Sequence, residues 1–290
     1  MKYAVNILSY NRPAYLQEVL YSLKLNDLTN CDIILWQDGY IRPESKSSID
    51  ATAYDKCINT FKNIFPESLI ISNTLNKGVG QMYRDMKDWT FKRFQAGIFL
   101  EDDLVLGKNY ISILKKLYSQ TADNLQVGLI TAYGPDRLVS DVEQATRSKE
   151  LELGIPSWGY LLGKEQYLLR KDILENEYYP LINNQTYKHR DHNLILNKYV
   201  YPNGFKINST SQDTADTIAM IRSGQIKLST VTRNARYIGA VGEHFSQAEF
   251  DNGYYGKDKI FQYDSIPDFI IPSSNRLAEI NSTLRKIGFA

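Results

Sequence analysis

Continuous apolar runs and amphipathic stretches alternate through the first 135 residues. Residues 3–10 (YAVNILSY) are almost uniformly apolar and predict a buried strand. The turn Asn11-Arg12-Pro13 follows, with Pro13 suited to open a helix, and Leu16, Val19, Leu20 and Leu23 recur at helical spacing over 15–25. The same alternation predicts a strand at 31–39 ending in Asp38-Gly39, a helix at 53–65 stopped by Pro66, and a strand at 68–73. A further helix at 80–94 and a strand at 96–103 complete the series. Strands that are apolar along their whole length, separated by helices and short links, predict a parallel sheet covered on both faces.

The rhythm weakens after residue 135. Residues 135–154 are polar and charged, which predicts a mobile loop or an exposed helix. Residues 156–171 begin with an aromatic-glycine turn and continue as a helix. A helix is predicted at 213–224 with Gly224 as its C-cap, then strands over 225–231 and 236–241. The tail beyond residue 245 is rich in aromatics and prolines and ends in a short basic helix.

Composition narrows the classes. Lys and Arg total 34 against 33 Asp and Glu, a formal charge of +1, so nothing drives the chain toward nucleic acid. No apolar run approaches the ~20 residues of a membrane span, so membrane contact is expected to be peripheral at most. Met1-Lys2-Tyr3 leads straight into the first strand, and Cys31 and Cys57 form no ligand or paired pattern. The expectation is a cytoplasmic protein with two reduced thiols, working in solution or at the inner membrane surface. The 21 tyrosines offer flat apolar faces that carry hydroxyls, a surface suited to sugars as well as to ordinary amphipathic packing.

Ligands of open α/β sheets bind beyond the carboxyl ends of the strands. Those ends carry Ser9-Tyr10-Asn11-Arg12, Gln37-Asp38-Gly39, Asn73 with the glycine-containing 76–80, and Glu101-Asp102-Asp103. Three adjacent carboxylates repel one another and need a cation. Hard oxygen ligands suit Mg²⁺ or Mn²⁺, ions that typically combine one or two carboxylates with substrate phosphates. A solvated acidic turn, or a cap in which Asp103 precedes a helical turn, is the alternative reading.

The stretches 6–23, 36–39, 76–85 and 97–105 together resemble the nucleotide-sugar-dependent glycosyltransferases of the GT-A fold. The similarity is to bacterial surface-polysaccharide transferases and, in the Glu-Asp-Asp triplet, to the N-acetylglucosaminyltransferase I type. It runs more weakly through 156–160, 211–224 and 237–244. The resemblance implies a doubly wound, mostly parallel GT-A sheet with helices on both faces and a C-terminal acceptor-side extension. One domain over 1–290 is expected: a nucleotide-sugar-binding half (1–135), an acceptor-binding and catalytic half (136–250), and a C-terminal flap and helix (251–290).

The resemblance also implies roles. Ser9, Tyr10 and Arg12 line the nucleoside pocket, and Asp38 holds the base or ribose. Lys77, Gly78 and Arg84 approach the nucleotide sugar, Glu101 and Asp102 face ribose and sugar, and Asp103 ligates Mn²⁺ or Mg²⁺. Trp158 and Gly159 shape the sugar and acceptor pocket. Asp213, opening a helix, is the expected base; Asp216 stands where related sequences carry tryptophan, and either carboxylate fits the role. His244 falls where a late histidine approaches metal or diphosphate, though a structural histidine fits as well. The implied reaction moves a sugar, from a UDP-sugar by closest analogy, to a hydroxyl of a glycan or lipid-linked glycan with inversion, in surface polysaccharide synthesis.

Two other functions fit parts of the pattern. A nucleotidyltransferase also joins metal, carboxylates and an α/β sheet, but needs a basic glycine-rich loop where residues 9–16 supply only Arg12. A non-catalytic nucleotide-sugar or glycan binding module would share the pocket without turnover. Residues 78–83 miss the dinucleotide fingerprint because Tyr83 replaces its last glycine. Residues 189–197 look superficially like a kinase catalytic loop, yet the other kinase elements are missing. His189 and His192 are too close for helical zinc ligation, so a polar surface loop is expected there.

Overall fold

The computed structural model describes residues 1–43, 45, 50–154, 158–182, 185–240, 246–253, 255, 257 and 259–288. Its first half follows the predicted alternation: β1 (Tyr3–Ser9), α1 (Pro13–Lys24), β2 (Cys31–Gln37), α2 (Ala51–Ile64), β3 (Leu69–Ser72), α3 (Gly78–Phe91) and β4 (Ala96–Glu101). Next come β5 (Leu104–Leu106), α4 (Tyr110–Thr121), β6 (Val127–Thr131), α5 (Asp141–Thr146), β7 (Leu151–Leu153), β8 (Tyr160–Gly163) and α6 (Lys164–Ile173). A π-turn over Leu174–Tyr178 leads into one-turn helices α7 (Tyr179–Ile182) and α8 (His192–Ile195), with a 3₁₀ turn at Tyr187–His189 between them. The chain closes with α9 (Gln212–Arg222), β9 (Ile226–Thr230), β10 (Ala235–Tyr237), α10 (Gln247–Asn252) and α11 (Ser274–Ile287).

Eight strands form one sheet in the order β3-β2-β1-β4-β8-β6-β9-β7, and β10 pairs with β5 in a small second sheet. β1 runs parallel to both β2 and β4 and is buried along its whole length, which accounts for its continuous apolar sequence. Its alternate residues serve opposite faces. Val5 and Ile7 pack with Leu16 and Leu20 of α1 and Phe61 of α2, while Ala4 and Leu8 pack with Trp36, Met82 and Met86. The architecture is the α/β sheet flanked by helices that the sequence predicts.

Local chemistry fixes the helix starts that face the carboxyl edge. Pro13 occupies the first turn of α1. Asp50 caps α2 by accepting from the Ala53 N–H, and Ser211 caps α9 by accepting from the Thr214 N–H. The second half departs from expectation. The apolar run at 160–163 is strand β8, antiparallel to β4 and β6, and the polar region 135–154 contains α5 and the edge strand β7. The α11 helix inserts Leu277 and Leu284 into the main core, and its Asn281 side-chain amide donates to the carbonyls of Ile221 and Gln225. Cys31 and Cys57 are both free thiols. Among the described residues no helix is long and apolar enough to cross a membrane.

Candidate active site at the carboxyl edge of the sheet

Strand register builds the site. Ser9 of β1 lies opposite Gln37 of β2, and Leu8 lies opposite Glu101 of β4, so three strands end together and release their loops side by side. Antiparallel pairing of Tyr237 in β10 with Leu104 in β5 closes one side, and the N-terminus of α9 another. The result is a cavity of about 700 Å³, within the usual range of small-molecule sites. Of the residues expected in the site, Ser9, Tyr10, Arg12, Asp38, Gly78, Glu101, Asp102, Asp103, Trp158 and Asp213 line it. Lys77, Arg84, Gly159 and Asp216 do not line it, and His244 lies outside the described residues.

The carboxylate triplet is held by specific partners. The Arg12 guanidinium, carried at the start of α1, pairs with Asp102 and reaches Asp103 at 2.8 Å. Tyr83 of α3 donates its hydroxyl to Glu101 at 2.8 Å. Burial raises all three carboxyls above their ordinary range, Glu101 to about 8, where the Asp103 and Asp213 charges add to the effect. Burial by itself would lower the guanidinium, but Asp102 and Asp103 hold it above its usual value.

This donor set suits a hard divalent ion. Among the described residues the buried Asp103 Oδ1 oxygen has no hydrogen-bond partner, and the backbone places Asp102 directly beside it. Among the described residues, no three His, Cys, Asp or Glu side chains converge on one point. Asp102 and Asp103 would supply one or two carboxylates, the usual protein share where phosphate oxygens complete the shell of Mg²⁺ or Mn²⁺. Gln212 Oε1 is likewise buried, and among the described residues neither it nor Asp103 Oδ1, both oxygens of this wall, has a hydrogen-bond donor.

Four of the expected site residues have partners of their own within the fold. Asp38 faces the cavity, but its oxygens already accept from the N–H groups of Gly39, Lys77 and Gly78 and from the Asn76 amide, at 2.8 to 3.0 Å. Four donors match the lone-pair sites of a carboxylate, so Asp38 locks the 76–78 loop. The Lys77 ammonium pairs with Asp85 at 2.7 Å instead of turning inward. Arg84 pairs with Glu175 and lies over the Tyr179 ring. Gly159 shapes the turn into β8 rather than the pocket: it has φ +60°, and its carbonyl accepts from the Tyr110 hydroxyl. Gly78 lies at the cavity wall, with φ +74° and its N–H on Asp38.

The two candidate bases separate clearly. Asp213, in the first turn of α9, lines the cavity. Asp216, one turn on, points into the protein and accepts from Arg170 at 2.8 and 3.3 Å, with Lys87 at 3.4 Å. Burial, which would raise Asp216, is overcome by Arg170 and Lys87, and its carboxyl sits below the usual range. Asp213 is raised by burial, with Lys227 and Lys87 opposing. Asp216 is thus an internal counter-ion. Replacing it with alanine strands two buried cations, so Asp216→Ala is expected to cost about 3–5 kcal/mol in urea unfolding.

Several wall residues have no signal in the sequence. Arg42, Tyr187, Lys188 and His189 line the cavity, so the stretch expected to be a plain surface loop forms part of the site; Asn76 and Tyr237, from stretches that carry the resemblance, line it with them. The His189 Nδ1 lies 2.8 Å from the Thr186 hydroxyl. Trp158 stacks on Tyr237 at 4.6 Å with an interplanar angle of 4°, giving that side of the cavity an aromatic wall.

No family model matches the chain, and no curated protein does. The structure of GalNAc-T7 with UDP, GalNAc and Mn²⁺ aligns at a TM-score of 0.51 and 12% identity, over 81% of this chain and 43% of that one. S. aureus TarS 1–349 aligns at 0.48 and 14% identity, over 83% of this chain and 61% of TarS 1–349. The mannosyltransferase PcManGT from Pyrobaculum calidifontis, with GDP-Man and Mn²⁺, aligns at 0.41 and 13% identity, over 59% and 46%. The chain spans less than two thirds of each of these chains. At such identities the likeness to GalNAc-T7 establishes a shared GT-A fold.

Proposed function

We propose that the chain is a metal-dependent glycosyltransferase that moves a sugar from a nucleoside diphosphate donor to a hydroxyl of a glycan or lipid-linked glycan. A UDP-sugar, inversion at the anomeric carbon and a place in surface polysaccharide synthesis at the cytoplasmic side of a membrane complete the reading. One observation carries it. The Glu101-Asp102-Asp103 carboxylates and Asp213 line a single cavity, whose wall also holds buried oxygens without a hydrogen-bond partner among the described residues.

Asp103, with Asp102 beside it, is the group that would hold Mn²⁺ or Mg²⁺. Such an ion, when bound, neutralises charge developing on a departing diphosphate. Arg12 adds a fixed positive charge at the same edge, and the Trp158–Tyr237 stack offers an aromatic face to the C–H groups of a pyranose. Asp213 accepts the proton of the attacking hydroxyl. As the acceptor oxygen bonds to the anomeric carbon, the bond from that carbon to the diphosphate oxygen breaks and its electron pair leaves with the nucleotide. A base acts best with a pKa near working pH, and burial moves the Asp213 carboxyl in that direction.

Ligands that bind only the folded state raise its melting temperature. Screening UDP-, GDP-, CMP- and dTDP-sugars with and without Mn²⁺ is expected to give a rise for one nucleotide class, larger with the metal. A flat response across all donors at saturating concentration would refute a nucleotide-sugar site.

A further inference from the structure

Arg190 is a cation only 4% exposed, and the partners it has are neutral. Its Nε donates to the Gln185 carbonyl at 3.2 Å and its Nη1 to the Tyr178 hydroxyl at 3.3 Å. The guanidinium lies 5.4 Å from the centre of the Tyr187 ring. Among the described residues Nη2 has no hydrogen-bond partner. Arg170, also buried, shows the ordinary arrangement, a two-point pair with the Asp216 carboxylate. A charge taken out of water without such a counter-charge is costly.

The surroundings of Arg190 add to that cost. Nη2 faces the first turn of α3, where a Cβ at Gly80 would stand 2.8 Å from it, so the bare glycine leaves the guanidinium its place. That turn is the positive end of a 14-residue helix, and it opens without a side-chain cap and without an acidic residue. Asp38 takes the N–H groups of Lys77 and Gly78, and those of Val79 and Gly80 have no acceptor within the helix. The same turn reaches the cavity. Gly78 and Val79 line it, together with residues 186–189 that lead into Arg190.

From this arrangement we propose that the N-terminus of α3 and Arg190 form an oxyanion subsite of the cavity, which takes a phosphate-like group of the substrate. Helix N-termini hold such groups through their free N–H groups and dipole, and a guanidinium adds charge-assisted hydrogen bonds in a fixed fork. An oxyanion seated on the Val79 and Gly80 N–H groups would be the counter-charge that Arg190 lacks. The carboxylate triplet calls for a cation and this turn for an anion, so the subsite is additional to the metal position. It goes beyond the proposed reaction, since it needs neither Asp213 nor a metal. Two sources carry the required chemistry: the diphosphate of the donor, and an acidic group on the acceptor or the donor sugar.

Inorganic phosphate is the probe. The melting temperature of the full chain, without metal or nucleotide and at matched ionic strength, is expected to rise with phosphate concentration, because a ligand of the folded state stabilises it by mass action. Arg190→Met keeps an unbranched buried side chain and removes the charge. Phosphate affinity should fall about 10–100-fold in that variant, the usual worth of a hydrogen bond to a charged group. Equal phosphate responses in wild type and Arg190→Met, or none in wild type, overturn the inference. If Arg190→Met fails to fold, Gly80→Ala decides. Alanine suits a helix, and its methyl group displaces the guanidinium from the turn. Weaker phosphate binding then supports the subsite and unchanged binding refutes it. Repeating the titration with Mn²⁺ and a saturating amount of the nucleoside diphosphate preferred in the donor screen identifies the source. A phosphate response that disappears assigns the subsite to the donor diphosphate, and one that persists assigns it to an acidic group on the acceptor or the sugar. The titration needs no turnover, so its failure leaves the transferase reading intact, and failure of that reading leaves the subsite intact.

Discussion

Asp213→Asn is expected to lower kcat by about 10²–10⁴-fold while leaving donor affinity nearly unchanged. The factor is the usual contribution of general base catalysis. An acceptor hydroxyl is a weak nucleophile at neutral pH, and its proton must be taken as the bond to the donor breaks. Asparagine retains the shape of the side chain but has no basic oxygen pair, so chemistry is lost before binding. Binding survives because the groups assigned to the nucleotide and metal, Ser9, Arg12 and Asp103, belong to other elements of the edge. Steady-state kinetics separate the two: kcat falls and KM for the donor stays close to wild type. Equal loss of donor affinity would place Asp213 among the binding groups instead. Asp216→Asn is a poor mirror of this experiment, since its carboxylate neutralises Arg170 and Lys87 and the substitution acts first on stability.

Asp103→Ala should remove transfer and, with it, the Mn²⁺-dependent part of donor affinity. Its Oδ1 has no hydrogen-bond partner among the described residues; the ion pair of its Oδ2 with Arg12 is lost, but Arg12 keeps Asp102 as a counter-charge. Changes to groups that merely orient a metal ligand cost about 10–100-fold in affinity or activity, and loss of the ligand itself is expected to exceed that. Titration calorimetry of the preferred nucleoside diphosphate should show Mn²⁺ strengthening binding to wild type and not to Asp103→Ala. Wild-type turnover by Asp103→Ala in the presence of a chelator would end the metal hypothesis.

The half of the fold that could be read in advance is the half whose central strands are buried on both faces. There β1, β2 and β4 write continuous apolar runs, and the loops between them carry the turn residues that end each element. The three-residue strands β5 and β7 have no such signature, because their pairing partners lie far along the chain. β8 hides behind Gly159, where three apolar residues, Tyr160 to Leu162, before a helix look like the first turn of that helix. The carboxylates of the site were legible because three adjacent negative charges after a buried strand ask for a cation. The cations were harder. Lys77 and Arg84 stand at plausible positions, yet Asp85 and Glu175 claim them, and pairings of this kind exist only once the helices are packed. Asp38 shows the same limit: a carboxylate after a strand looks identical whether a ligand or the backbone takes its lone pairs. Lys188 and His189 reach the cavity through a topology that returns the chain more than 80 residues after the triplet.

Donor consumption tests the central claim most directly. Proton NMR of the nucleotide-sugar that gives the largest melting-temperature rise, incubated with the full chain and Mn²⁺, follows its conversion with water standing in for the acceptor. The account predicts slow release of nucleoside diphosphate and free sugar, with the first-formed anomer inverted. Chelation, Asp103→Ala and Asp213→Asn should each suppress that release. A donor that binds tightly yet stays intact under these conditions, with or without added glycan acceptors, would contradict a transferase and leave a nucleotide-sugar binding module in its place.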